Sequence, residues 1–374
     1  MKINIAASHR FHLLDLAVEL EKLGHEVRFY SYVPTARAIK YGLKKDCSYS
    51  LFIPMLPFLA LLRLSKGAEW AIRILDMVLD FYLSWFMKPC DVYIALGTVY
   101  ERSLISAKRR FGAVSVLEWG SKHILEQQRI LSGGPAYKKQ SEFFTTRALN
   151  GYEIADYIAI PSDHVRRSFI ERGVPDEKLL QNPYGVSLSM FHPTELVKDQ
   201  AYDLIMVGGW SYRKGCDLLV EVCRKSGFSL LHVGPIVDLE FPVGDNFRHV
   251  DAIDQRQLVE YYAKARVFVL PSREEGLAMV QLQAIACGLP VVCSMQTGGR
   301  DIRTMLHDQR WIVEMQEFTV CELEACIRKA LAIASGQQGL RNYADLLLDS
   351  ISWSEYGKRY NNFLELILNR LIVN

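Results

Sequence analysis

Short apolar runs alternate with longer helix-periodic segments along the whole chain, and no other feature restricts the fold as tightly. In the first half the runs expected as strands are Lys2–Ala6, Glu26–Tyr30, Asp91–Ala95, Ser115–Leu117 and Tyr157–Ile160. Between the first two, Leu13, Leu16, Ala17, Leu20 and Leu23 share one helical face that Gly24 closes, which makes a βαβ opening. The second half repeats the pattern with Leu204–Val207, Ser229–Val233, Phe247–His249, Val267–Leu270 and Val291–Cys293. Strands that are apolar throughout and alternate with helices belong to parallel sheets covered on both faces. With 374 residues the chain has room for about two such domains. Pro183, Gly185 and Pro193 interrupt the pattern near 184–196, where the division is expected.

Charge separates the two halves. Residues 1–190 carry 25 Lys and Arg against 19 Asp and Glu, a net of +6, while 191–374 carry 19 against 23, a net of −4. A basic first half implies an anionic partner. A pI near 8 and no basic stripe speak against nucleic acid. The eight cysteines are scattered in apolar runs without metal-ligand spacing, as expected of buried, reduced thiols in a cytoplasmic protein with no metal site. A secretory signal is not expected, because Ser8-His9-Arg10 breaks the first apolar stretch. The longest uncharged apolar run, Leu51–Leu62, contains two prolines and is shorter than the ~20 residues of a spanning helix.

Doubly wound sheets bind ligands beyond the carboxyl ends of their strands, so the loops there are the candidate sites. After Leu204–Val207 comes Gly208-Gly209-Trp210-Ser211-Tyr212-Arg213-Lys214-Gly215, then a helix from about Cys216. Gly208 and Gly209 let backbone approach a ligand, and Arg213 and Lys214 set two cations before a helix N-terminus, which suits a diphosphate. A glycine turn with two solvated cations is the alternative. After Val267–Leu270 comes Pro271-Ser272-Arg273-Glu274-Glu275-Gly276-Leu277, leading into a helix over Met279–Ala286. Here Glu275 either caps amides or meets a ligand, and Gly276 leaves amides open at a helix start.

The order of these pieces resembles the retaining nucleotide-sugar glycosyltransferases of the glycosyltransferase family 4 type. PSREEGLAMVQLQAIACGLPVVCS is similar to that family's Pro-Ser-x-x-Glu-Gly signature, and GGWSYRKG to its Gly-Arg-x-x-x-x-Lys-Gly loop. ADYIAIPSDHVRRSFIERGVPDEKLLQNPYGVSLSMFHP resembles its interdomain segment, and LEKLGHEVRFYSY its first βαβ unit. The resemblance covers 1–30 and 150–300 well and 31–150 poorly. It implies the GT-B fold: two Rossmann-like α/β domains facing across a cleft, 1–190 and 191–352, with a C-terminal helix over 353–374 crossing back to the first.

Carried over residue by residue, the resemblance implies that Lys214 holds the donor diphosphate, with Arg213 standing in, from a different direction, for the family's arginine. Glu275 would bind hydroxyls of the donor sugar, and the amides of Gly276, Leu277 and Ala278 would contact sugar and phosphate. Three departures stand out. The family's second acid, which grips the ribose, falls on Gln283, a neutral amide expected to bind a diol more weakly. The family's arginine falls on Gly209, and Ala7-Ser8-His9-Arg10 replaces a Gly-Gly loop after the first strand.

On the acceptor side the candidates are His9 and Arg10, with His12 beside them, and Glu118 and His123 after the strand Ser115–Leu117. For His123 a solvated position at a helix start is the alternative. The stretch 51–88 combines apolar and aromatic residues with Lys66, Arg73 and Lys88, which suits an anionic membrane surface, or else core helices. The expectation is a metal-independent, retaining glycosyltransferase without a cofactor. It would move sugar from a nucleoside-diphosphate-sugar to a glycan or lipid-linked acceptor, in the cytoplasm or at the cytoplasmic face of a membrane. The rivals are a non-catalytic nucleotide-sugar-binding protein and a GT-B epimerase.

Overall fold

The computed structural model describes residues 1–135, 137, 140–193, 202–335 and 348–373, excepting the side chains of Thr98 and 371–373. The first half supplies strands β1 (Lys2–Ala6), β2 (Glu26–Ser31), β3 (Ser48–Ser50), β4 (Val92–Leu96), β5 (Val114–Glu118), β6 (Tyr157–Ile160) and β7 (Leu179–Gln181). The second supplies β8 (Tyr202–Val207), β9 (Leu230–Val233), β10 (Phe247–Val250), β11 (Ala265–Leu270), β12 (Val291–Cys293) and β13 (Ile312–Glu314). They form two parallel sheets, ordered β3-β2-β1-β4-β5-β6-β7 and β10-β9-β8-β11-β12-β13. Strand order reverses between β1 and β4 and again between β8 and β11. At such reversals neighbouring loops diverge and leave a crevice for ligand.

Burial on both faces explains why the strands were readable as continuous apolar runs: Ile3 and Ile5 of β1 and Val267, Phe268, Val269 and Leu270 of β11 are all inaccessible. The three strands that sequence did not reveal have only three residues each, and β3 reads Ser-Tyr-Ser. These short strands hold their places by pairing with a neighbour, as Ser48–Ser50 does with Phe29–Ser31. Seven of the eight cysteines are buried, and all are free.

The terminal helix, Trp353–Val373, returns to the first domain as expected. Its buried stripe is Tyr356, Tyr360, Leu364 and Ile367, at helical spacing. It crosses the helix Phe11–Lys22 so closely that a Cβ on Gly357 would come within 2.4 Å of Glu19 Cβ. Only glycine permits that contact.

The stretch 51–88 forms two helices, Phe52–Leu64 and Glu69–Phe86, joined by a tight turn with Lys66 and Gly67 both at positive φ. Met55, Ala71, Leu75, Leu79 and Leu83 enter the core. Core packing accounts for only part of this stretch, because Ile53, Leu64, Trp85 and Phe86 are 78%, 82%, 65% and 64% exposed. No described helix is long and apolar enough to cross a membrane.

Candidate active site

The loops after β8 and β11 meet at the reversal of the second sheet and bring their charged residues together. Lys214 Nζ lies 2.5 Å from Glu275 Oε1, and Arg213 Nη2 lies 3.5 Å from Glu275 Oε2. Arg213 Nε also donates to Glu274 Oε2 at 2.9 Å and to the Glu274 carbonyl at 3.0 Å. Burial opposes the Arg213 charge, but the two carboxylates outweigh it and hold its pKa above the usual value. The expected cations and Glu275 therefore occupy one spot, paired with each other.

Glu274, which sequence reading passed over, joins the two domains. It is wholly buried and accepts hydrogen bonds from Ser121 Oγ at 2.5 Å and Gln127 Nε2 at 3.2 Å, both from the first domain. Burial pushes its carboxyl up, yet Arg213, Ser121 and Gln127 together hold it below the ordinary range. The Glu-Glu doublet beside an arginine-bearing loop was the available signal. His164 was also missed: its Nε2 donates to the Glu275 carbonyl at 2.9 Å, and burial pushes its pKa down to about 4.

Gly276 sits where the domains touch. A Cβ there would lie 1.9 Å from the Gly120 carbonyl oxygen, and Ser162 Oγ donates to the Gly276 carbonyl at 2.8 Å. Of the three amides expected to be open, that of Ala278 is spent on the Thr297 carbonyl at 3.2 Å. The amides of Gly276 and Leu277 have no protein partner among the described residues. Gly208 is corrected in the same way. Its N–H donates to Val233 and its carbonyl accepts from His232, so its backbone holds β8 against β9 rather than facing a ligand. At Gly209 a Cβ would lie 2.9 Å from Val237 Cγ2, so an arginine does not fit without a shift. Gln283 accepts from Tyr262 Oη at 3.2 Å and lines a cavity of about 210 Å³ with Arg10, His12, Gln255 and Met279.

A larger cavity of about 860 Å³ runs across the cleft from Arg213 and Met279 past His12, Glu118 and Trp119 to Arg63 and Lys66. Among the acceptor-side candidates, His9 lines it and meets Tyr32 Oη at 3.1 Å. Arg10 lies over the Tyr41 ring and donates to Gln255 of the second domain at 3.2 Å. Glu118 is buried at the cavity wall against His12. His123 does not join them, nor is it solvated. It caps the helix Ile124–Leu131, its Nδ1 accepting from Leu125 N at 3.4 Å, and packs on Tyr152 and Phe169. Burial lowers its pKa to about 4.

With this geometry in place, the comparisons are decisive for the second half. Residues 201–332 match the family model described as glycosyl transferases group 1. The second domain is a group 1 glycosyltransferase domain. The two parallel sheets give the chain the GT-B fold, as the sequence motifs implied. The chain is similar to a D-inositol 3-phosphate glycosyltransferase of Geodermatophilus obscurus, 27% identical over 47% of this chain and 45% of that one. It is also similar to a GDP-mannose-dependent alpha-(1-6)-phosphatidylinositol monomannoside mannosyltransferase of Mycolicibacterium smegmatis, 25% identical over 56% and 62%. The match thus spans about half the length of these relatives. In fold it is similar to the Anabaena protein HepE in complex with UDP and glucose, at a TM-score of 0.60, 13% identity and coverage of 98% and 99%.

Proposed function

We propose that this chain transfers a sugar, with retention of anomeric configuration, from a nucleoside-diphosphate-sugar to a hydroxyl acceptor on a glycan or lipid-linked glycan. The observation that carries the reading is the cluster of Arg213, Lys214, Glu274 and Glu275 at the sheet reversal, opening into the cavity shared with the first domain. The names of the relatives, with GDP-mannose as donor and UDP in the fold neighbour, support a nucleotide-sugar.

Charge develops on the departing diphosphate, and Arg213 and Lys214 supply preorganised positive charge there, with no call on a metal ion or cofactor. Glu275 orients the sugar, the amides of Gly276 and Leu277 add donors, and Gln283 takes the ribose. The cavity ends at Arg63 and Lys66, in the turn between the two helices with the exposed apolar face. That continuity, with Arg73 and Lys88 nearby in sequence, supports a lipid-linked acceptor taken from an anionic membrane surface on the cytoplasmic side.

The test is a panel of nucleotide sugars against the full chain, read by thermal shift and by product formation, with the product's configuration taken from NMR. A ligand at 100 times its Kd raises stability by about 2.7 kcal/mol. Glu275→Gln should lower turnover about a hundredfold while sparing affinity for the free nucleoside diphosphate, since its partner is the sugar. No shift with any nucleotide sugar, or full turnover by Glu275→Gln, overturns the reading.

A further inference from the structure

The smaller cavity, the one lined by Gln283, continues the cleft along the helix Met279–Cys287. It shares Phe11, His12 and Met279 with the large cavity, so the two adjoin. The helix starts at Met279, which lines the large cavity together with Arg213, and Gln283 stands one turn further, about 6 Å along it. With ribose at Gln283 and the diphosphate toward the helix start, the space around and beyond Gln283 belongs to the rest of the nucleoside. At about 210 Å³ it is smaller than the ~300–1,000 Å³ of sites that take a drug-sized molecule, which suits one flat ring system. Met190, Met279 and Trp353 give it apolar wall.

Its polar wall comes from both domains, and most of it is already engaged. His12 is bonded to Glu118, Ser187 to Ser189, Gln283 to Tyr262, and Arg10 Nη1 donates to Gln255 Oε1 at 3.2 Å across the cleft. Asp15 is the exception. Its side chain is 18% exposed and lines the cavity. Among the described residues its carboxylate accepts only from its own backbone N–H, and Arg10 Nη2 stands 3.8 Å away, beyond hydrogen-bond distance. Burial pushes that carboxyl up to about 6, and Arg10 offsets only part of the effect. The group is therefore ionised at neutral pH and lacks donors. Arg10 Nη2 makes no hydrogen bond among the described residues either.

We infer that this cavity takes the nucleobase of the donor, and that Asp15, with Arg10, selects guanine. The inference rests on the nucleotide-sugar reading above and adds the base to it. Guanine alone among the common bases sets two adjacent donors, N1–H and the N2 amino group, on its pairing edge, with the O6 acceptor beside them. A carboxylate accepts from both donors at once, and an arginine N–H donates to O6. Uracil sets one N–H between two carbonyl oxygens, while adenine and cytosine set a ring-nitrogen acceptor beside their amino group. Each of these turns a lone pair toward the carboxylate, a repulsion that a half-buried wall screens poorly. Asp15 and Arg10 both come from the first domain, and the Arg10–Gln255 bond brings them against the second.

The experiment measures binding of GDP, inosine diphosphate, UDP and ADP to the full chain by titration calorimetry. Inosine diphosphate is GDP without the N2 amino group, so it deletes one of the two donors from the ligand and leaves the protein untouched. The wild type should bind GDP about thirtyfold more tightly than UDP or ADP, and about tenfold more tightly than inosine diphosphate. Asp15→Asn should lose the preference for GDP over inosine diphosphate without weakening UDP, which ties the lost donor to that carboxylate. Wild-type affinities for GDP and UDP within about threefold of each other overturn the inference, and so does inosine diphosphate bound as tightly as GDP. An Asp15→Asn chain that weakens for all four nucleotides alike and melts at a lower temperature also overturns it, since Asp15 then only supports the fold. If none of the four binds the wild type, the nucleotide-sugar reading fails and this inference with it. If UDP or ADP binds and GDP does not, that reading stands and the selection of guanine alone fails.

Discussion

The two walls of the cleft are built from opposite materials. On the second-domain wall, charges are matched over a few ångströms: Arg213 and Lys214 against Glu274 and Glu275, with Arg273 on Asp217 beside them. On the first-domain wall apolar side chains, Tyr32, Leu62, Ile72, Leu75, Leu96 and Trp119 among them, share the cavity lining with polar residues that include the buried His12–Glu118 pair and the exposed Arg63 and Lys66. In the proposed reaction, the second-domain wall takes the anionic diphosphate and its sugar, and the first-domain wall takes an acceptor with an apolar portion. The walls are coupled through Glu274 and Gly276, which belong to one domain and pack on the other.

The coupling is the place where the largest effects are expected. Glu274→Ala leaves Arg213 without its closest carboxylate and unpairs Ser121 and Gln127, so unfolding in urea should show a loss of about 3–5 kcal/mol. A loss below about 1 kcal/mol would mean that the two walls are independent. Gly276→Ala pushes a methyl toward the Gly120 carbonyl, and the domains have to separate to admit it. Since ~1 Å of misplacement costs about a hundredfold in rate, turnover should drop by that much.

A smaller effect comes from protons. His123 in the first domain and His232 in the second are both pushed down to about 4, chiefly by burial. Each stays neutral in the fold, so its contribution is present above the unfolded value near 6.5 and is lost as pH falls toward 4. Asp15, Asp76 and Asp301, pushed up to about 6 by burial, work the other way. Their contributions are present below the unfolded value and are lost as pH rises through 6. His123→Asn keeps a capping side chain but removes the titration, so between pH 7 and pH 5 it should lose about 1–2 kcal/mol less stability than the wild type. Parallel stability curves would disprove the attribution.

The smallest change in stability accompanies the sharpest separation of the two domains. Leu64→Ser and Trp85→Ser alter exposed positions and should each shift unfolding by less than about 0.5 kcal/mol, yet weaken sedimentation with anionic vesicles at low salt. Val243→Ser, at a 94% exposed position of the second domain, should leave sedimentation unchanged. Equal losses from both domains would show that the apolar helix pair is not the contact.

What the sequence alone determined is mostly local. Period and turn residues marked ten of the strands, because a strand buried on both faces has to be apolar throughout. The loops after β8 and β11 were found from glycines and charges that lie within a few residues of one another, since their role is set by short-range geometry at a sheet reversal. Tertiary structure decided what depends on partners remote in the chain. His12 acquires its partner Glu118 from another strand, and Glu274 is sheltered by Ser121 and Gln127 across the cleft. His123 proved to be a buried cap, because Tyr152 and Phe169 close over it from other helices. The amides of Gly208 and Ala278 were lost to Val233 and Thr297. Which groups stay free for a ligand is settled by everything else that bonds first. That depends on contacts between distant segments, which hydrophobic period and local motif do not encode.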